Sequence, residues 1–226
     1  MSDVQYEVEI KCLVEDANKA IGLPAAIRSL GYTLEQTAQY EQLNDYYIDG
    51  NIEKLVKKLE KLLKATERKQ LKDIAENNTT FSVRGRQNND KVVFQLKATK
   101  GEDANHAAQR AEFEATLKVS LDELKDVIIS AGFKIQARWE AYRTLYRVSN
   151  GITFDSLFSP GYGYMAEFEL VVNEKDQLEN AETRVRSFAH ELGLEPVDPH
   201  RVERMFAYYN EHWQEYYGTK KTFHMD

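Results

Sequence analysis

Cysteine is nearly missing from this chain of 226 residues. Cys12 is the only one, so an intrachain disulfide is excluded and a reducing, cytoplasmic setting is expected. Histidine is sparse and scattered, at 106, 190, 200, 212 and 224, which argues against a zinc site of the usual His/Cys type. Long hydrophobic runs are lacking too. No stretch is apolar and long enough to cross a bilayer, and the N-terminus has no apolar signal region, so no membrane partner is expected. Nor is there a basic excess. With 30 Lys and Arg against 37 Asp and Glu, the net charge is −7. That disfavours nucleic acid as a general partner but leaves room for a local basic site. Finally, no Pro/Gly/Ser-rich linker interrupts the chain, so residues 1–226 are read as one domain.

What is present is charge in alternation. The stretch YEVEIK sets Tyr6, Val8 and Ile10 on one parity and Glu7, Glu9 and Lys11 on the other. As a strand, it carries two carboxylates and an ammonium on one face. Alternation of this kind occurs at 4–13, 38–48, 80–86, 91–98, 110–118, 133–148, 151–157 and 164–172, which predicts eight strands. Helical signals fall between them. LPAAIRSLG has Pro24 near its start and Gly31 just past its end. Ser120 and Glu123 form a capping box, closed by Gly132. Further helices are expected at 174–192 and 199–217. The longest runs from about Ile52 to Ile74 as an insertion at about 50–79, with an apolar stripe of Ile52, Leu55, Val56, Leu59, Leu62 and Leu63. Its basic remainder reads as a solvated face. The stripe must pack on the strands or on a second copy of the chain, so a homodimer is a candidate assembly.

One unit recurs. Glu7-Val8-Glu9 leads to a helix ending SLGY, Glu112-Phe113-Glu114 to one ending SAGF, and Glu167-Phe168-Glu169 to one ending ELGL. Between these acidic strands, basic residues dominate: Arg84 and Arg86 in FSVRGR, Lys97 in VVFQLK, and Arg110 beside Glu112 and Glu114. Adjacent like charges on a solvent-facing strand give no stability, and the helices need the apolar strand faces for packing. An α+β fold satisfies both demands: an antiparallel barrel of eight strands, helices outside and charge inside. Six basic candidates, Lys11, Arg84, Arg86, Lys97, Arg110 and Arg143, face seven acidic ones, Glu7, Glu9, Glu112, Glu114, Asp155, Glu167 and Glu169. Carboxylate clusters are ligands for hard cations, with Mg²⁺ or Mn²⁺ the natural occupants. Two such ions would turn a net −1 into +3, near the charge of about −4 on three linked phosphates.

These motifs resemble the CYTH family, the triphosphate tunnel metalloenzymes. Glu7-x-Glu9-x-Lys11 resembles its N-terminal signature, and NDYYID its Asp-x-Tyr-x-Asp at Asp45, Tyr47 and Asp49. SVRGR, QLK, RAEFE, YRTLYRV, ITFD and AEFE resemble the later motifs in the family's order. The resemblance implies an eight-stranded tunnel binding a triphosphate-containing small molecule through metal. It implies Glu7, Glu9, Glu112, Glu114, Asp155, Glu167 and Glu169 as metal ligands, and Lys11, Arg84, Arg86, Lys97, Arg110 and Arg143 as phosphate ligands. Lys11 and Lys97 are the catalytic candidates. Arg138 and Arg147 are further candidates on the arginine strand, which lacks the family's usual Lys-Arg before Arg143. Triphosphate hydrolysis is the leading activity. The alternatives are an adenylyl cyclase reaction, disfavoured by Val4-Gln5-Tyr6 where cyclases carry His-Phe, and a polyphosphate- or nucleotide-binding module without turnover.

Overall fold

In the computed structural model, residues 6–99 and 111–225 are described. Eight strands form one sheet: β1 (Tyr6–Val14), β2 (Leu34–Ile48), β3 (Thr80–Asn88), β4 (Lys91–Thr99), β5 (Ala111–Leu117), β6 (Lys134–Val148), β7 (Thr153–Ser159) and β8 (Gly163–Val172). Their order is β1-β8-β7-β6-β2-β3-β4-β5, and the described registers are antiparallel. With six α-helices accompanying the strands, this is the expected α+β class. The helices are α1 (Ala17–Ser29), α2 (Ile52–Leu59), α3 (Ala65–Asn77), α4 (Leu121–Ser130), α5 (Leu178–Glu191) and α6 (Pro199–Tyr216). Two compact units are built from them, one of residues 1–40 and 141–226, the other of residues 41–140.

In the first unit, the even-numbered residues of β1 and β8 form the apolar face. Ile10, Cys12, Val14, Ala166, Phe168 and Leu170 are buried there with Leu23 and Ile27 of α1 and Val185 and Phe188 of α5. Phe168 stacks on Phe154 at 5.2 Å and meets Phe188 edge-on at 5.5 Å. Cys12 is fully buried, as a packing residue should be. Helix α1 begins earlier than Pro24 predicts. Asp16 caps it by accepting from the Lys19 amide at 2.8 Å, so Pro24 stands inside the helix, where it removes one backbone donor.

In the second unit, Val83, Phe94, Leu96 and Phe113 of β3, β4 and β5 are buried with Leu55 and Leu59 of α2, Leu71 of α3, and Leu121 and Leu124 of α4. Helix α4 lies directly on β3. A Cβ on Gly85 would stand 3.1 Å from Leu121 and 3.3 Å from Leu124. Ser120 and Glu123 form the expected capping box, and Gly132 takes a φ of +94° just beyond the helix.

The single helix expected over 52–74 is two helices. The stripe of α2 would continue onto Thr66 and Glu67, which are polar, whereas the buried residues further on are Leu71 and Ile74. A break at 60–64 resets the phase, with Leu63 buried inside it. There the Glu67 carboxylate accepts from the Lys64 amide at 2.8 Å and starts α3. Both apolar stripes join the core of β3, β4 and β5.

Candidate active site

The parity opposite the helices carries the charge. In the first unit, the β1–β8 register sets Glu9 opposite Glu169 and Lys11 opposite Glu167, and β7 sets Asp155 opposite Glu167. Lys11 thus lies in one row with two carboxylates. Its Nζ donates to Glu167 at 2.8 Å and also to Glu9. Arg143 on β6 closes the network. Its Nε donates to Asp155 at 2.6 Å, and its Nη2 donates to Asp155 and, at 2.6 Å, to Glu167.

In this row Asp155 is buried, Lys11, Arg143, Glu167 and Glu169 are half-buried, and Glu7 and Glu9 are exposed. Burial pushes the Asp155 carboxyl up to about 6 against the pull of Arg143. Burial would also weaken the Lys11 ammonium, but Glu167 and Glu9 outweigh it and hold Lys11 above its ordinary value. Burial first, then a hydrogen bond and charge from Glu7, raise Glu169 to about 7. The Asp155 Oδ1 is buried without a hydrogen-bond partner.

The second unit holds the basic strands. Arg86 donates to Asn44 at 3.0 Å and to Gln95 at 3.3 Å, and Gln95 donates to Glu114 at 2.6 Å. Lys97 pairs with Glu112 at 2.6 Å. Arg84 lies over the Tyr46 ring, 4.7 Å from its centre, and its buried Nε has no hydrogen-bond partner. A buried donor of that kind is costly until an acceptor meets it.

Most sequence-predicted site residues thus gather in two sets. Lys11, Arg143, Asp155, Glu7, Glu9, Glu167 and Glu169 lie together in the first unit. Arg84, Arg86, Lys97, Glu112 and Glu114 lie in the second. Arg110 falls outside the described residues. Three residues drawn from the motifs lie elsewhere. Arg147 is exposed and reaches Glu35 at 3.6 Å. Asp49 follows the last residue of β2, exposed, with a φ of +59°. Asp45 is fully buried on the helix-covered side, because β2 sets it opposite Gly85 and sets Asn44 opposite Arg86. There it takes Arg138 Nε at 2.8 Å and the Tyr47 hydroxyl at 3.3 Å. Arg138 is therefore the partner of a buried carboxylate. Sequence reasoning also passed over Asn44 and Gln95, although strand parity puts both on the charged face.

Oxygen donors of this kind suit Mg²⁺ or Mn²⁺, and Glu9 directly opposite Glu169 is a like-charge pair that a cation would relieve. Among the described residues, no three His, Cys, Asp or Glu side chains converge as a formed metal cage. Glu9, Glu167 and Asp155 are engaged by Lys11 and Arg143 instead.

This alternation of acidic and basic strands defines a class, and the sequence falls within it. It matches the CYTH domain family over residues 5–201, so the chain belongs to that family. No curated protein is a significant match. Among solved structures, it is similar to a candidate adenylate cyclase of Vibrio parahaemolyticus, with 15% identity, 90% of this chain and 98% of that one covered, and a TM-score of 0.54. A Pyrococcus horikoshii protein shows 21% identity over 85% of this chain and 93% of its own, with a TM-score of 0.54. A conserved protein of Pyrococcus furiosus shows 19% identity over 86% and 98%, again at 0.54. At these identities the likeness is one of fold. No helix among the described residues is long and apolar enough to cross a membrane.

Proposed function

We propose that this protein hydrolyses a triphosphate with the help of a divalent cation, Mg²⁺ or Mn²⁺. The observation that carries the reading is the row on β1, β8 and β7. Four glutamates, one aspartate and a lysine share one face of these strands, with Glu9 directly opposite Glu169, and Arg143 of β6 donates to Asp155 and Glu167. Structural ion pairs alone would not require glutamates against one another.

In the resting state, Lys11 and Arg143 neutralise Glu9, Glu167 and Asp155. Substrate offers a different pairing: cations to phosphate, carboxylates to metal. Glu7, Glu9, Glu169 and Glu167 would hold the ion, with Asp155 as a further oxygen donor. Glu112 and Glu114 are metal-ligand candidates of the second unit on their motif. Once bound, such an ion offsets phosphate charge and acidifies water. Lys11 and Arg143 are donors for phosphate oxygens, and the guanidinium fork suits two at once. In the second set, the buried Arg84 Nε would gain an acceptor, Arg86 is oriented by Asn44 and Gln95, and Lys97 supplies an ammonium. Lys11 and Lys97 are the groups assigned to counter charge developing in the transition state. Arg110 is assigned to phosphate binding on its motif alone.

The test is a panel of inorganic triphosphate, ATP and thiamine triphosphate, with Mg²⁺, Mn²⁺ or chelator, scored for orthophosphate and for cyclic AMP. Cation-dependent orthophosphate release from at least one substrate is the expected result. Cyclic AMP with pyrophosphate as the products from ATP would replace hydrolysis by cyclisation.

A further inference from the structure

The first unit contains a cavity of about 430 Å³ that none of the residues assigned to phosphate or metal lines. It lies at the end of β1, at Leu13 and Val14, against the β7–β8 connection, the start of α6 and the segment after α6. The volume is in the range of small-molecule sites. Two chain segments build it together. The Gly161 amide donates to the Lys221 carbonyl at 2.8 Å, and the Phe223 amide donates to the Gly161 carbonyl at 2.8 Å.

Its walls combine two chemistries. Phe158, Tyr162, Tyr164 and Phe223 contribute rings. These rings are held firmly: Tyr162 stacks on Tyr209 at 4.9 Å, Phe158 packs on Tyr164 at 5.0 Å, and Phe223 meets Tyr162 at 5.4 Å. Arg201 and Lys220 contribute permanent positive charge and His224 an imidazole, against the single carboxylate of Glu15. Arg201 is fixed, since its Nε donates to the Met225 carbonyl at 2.8 Å. In a chain of net charge −7, a ring-lined cavity with a cationic balance is a selective feature. Rigid aromatic walls favour a flat π-system, and the cations favour a phosphate or carboxylate on it.

We infer that this cavity is a second binding site, taking a planar aromatic group that bears an anionic substituent. Such a ligand could be the organic end of a triphosphate substrate or a separate effector. The lining shares no residue with the charged sets, so an effector site stands apart from the triphosphate reading, whereas the substrate's organic end rests on it.

The probe is AMP, titrated calorimetrically in metal-free buffer into the full chain, with adenosine and orthophosphate as controls. AMP is expected to bind at least about tenfold tighter than either control, the scale of one charge-assisted contact. Lys220→Gln changes an exposed residue and should weaken AMP several-fold without altering the melting temperature. Arg201→Gln should weaken it by about tenfold or more, and Tyr164→Leu should weaken AMP but not orthophosphate. Glu7→Gln/Glu9→Gln should leave AMP affinity within about twofold, whatever becomes of hydrolysis. Competition by inorganic triphosphate would assign the ligand to the substrate's organic end, and its absence to an effector. No AMP binding, or binding indifferent to Arg201, Lys220 and Tyr164, would overturn the inference.

Discussion

Glu9 on β1 and Glu169 on β8 stand directly opposite one another in the sheet register. Like charges in that position destabilise a strand pair by up to about 1 kcal/mol. In the metal-free protein, Glu7→Gln/Glu9→Gln should therefore melt at the same temperature as the parent or up to a few degrees higher. Mg²⁺ or Mn²⁺ should raise the parent's melting temperature by mass action and leave the variant's nearly unchanged. A calorimetric scan with and without metal reads both. Equal metal shifts in parent and variant would count against these glutamates as ligands.

Two arginines of the second unit should respond in opposite ways. Arg138 neutralises Asp45, which is fully buried. Arg138→Ala strands that charge and should cost about 3–5 kcal/mol in denaturant unfolding. Arg84 has a buried Nε without a partner, so Arg84→Ala should cost far less stability while weakening triphosphate binding by about tenfold or more. Unfolding curves and substrate titrations on both variants separate the roles. An Arg84→Ala protein that loses as much stability as Arg138→Ala would make Arg84 a structural residue.

Part of this arrangement was legible in the sequence and part was not. Strand parity told Glu7, Glu9 and Lys11 from Ile10 and Cys12 because a side-chain period of two leaves no other choice once one face is covered. The capping box at Ser120 and Glu123 fixed the start of α4 locally. Asp45 was named only through its motif, which gives residue identity and not the face. Its neighbour Tyr47 belongs to the apolar parity, and that signal places Asp45 in the core. The break at 60–64 has neither Gly nor Pro to mark it. Only the change in phase of the apolar stripe, from Leu59 to Leu71, records it. The pairing of Arg138 with Asp45 joins residues 93 positions apart, and no local pattern reaches that far.

Helices α2 and α3 bury their apolar faces within the second unit, so the inserted segment is a structural part of it. Leu55, Leu59 and Leu71 are fully buried. Leu59→Ala should lower stability by about 2–5 kcal/mol through lost burial and the cavity left behind. Lys57→Ala or Lys58→Ala on the exposed side should change it by less than about 0.5 kcal/mol. A Leu59→Ala variant as stable as the parent would contradict the packing described for α2.

Cys12 offers a test of the first unit's core. It is fully buried, and burial pushes its thiol up to about 12. At pH 8 only about one thiol in 10⁴ would be ionised. Iodoacetamide should leave the native protein unlabelled for hours and label it fully after unfolding, as followed by mass spectrometry. Rapid labelling of the native form would show that β1 is not covered by α1 and α5.

The central claim is that the glutamates of β1 and β8 bind a divalent cation that triphosphate turnover requires. Manganese binding followed by electron paramagnetic resonance, with inorganic triphosphate present and on protein also assayed for orthophosphate release, tests it most directly. The parent should bind at least one Mn²⁺ per chain and release orthophosphate, and Glu7→Gln/Glu9→Gln should lose both together. A variant that binds no Mn²⁺ yet hydrolyses triphosphate at the parent's rate would contradict the account.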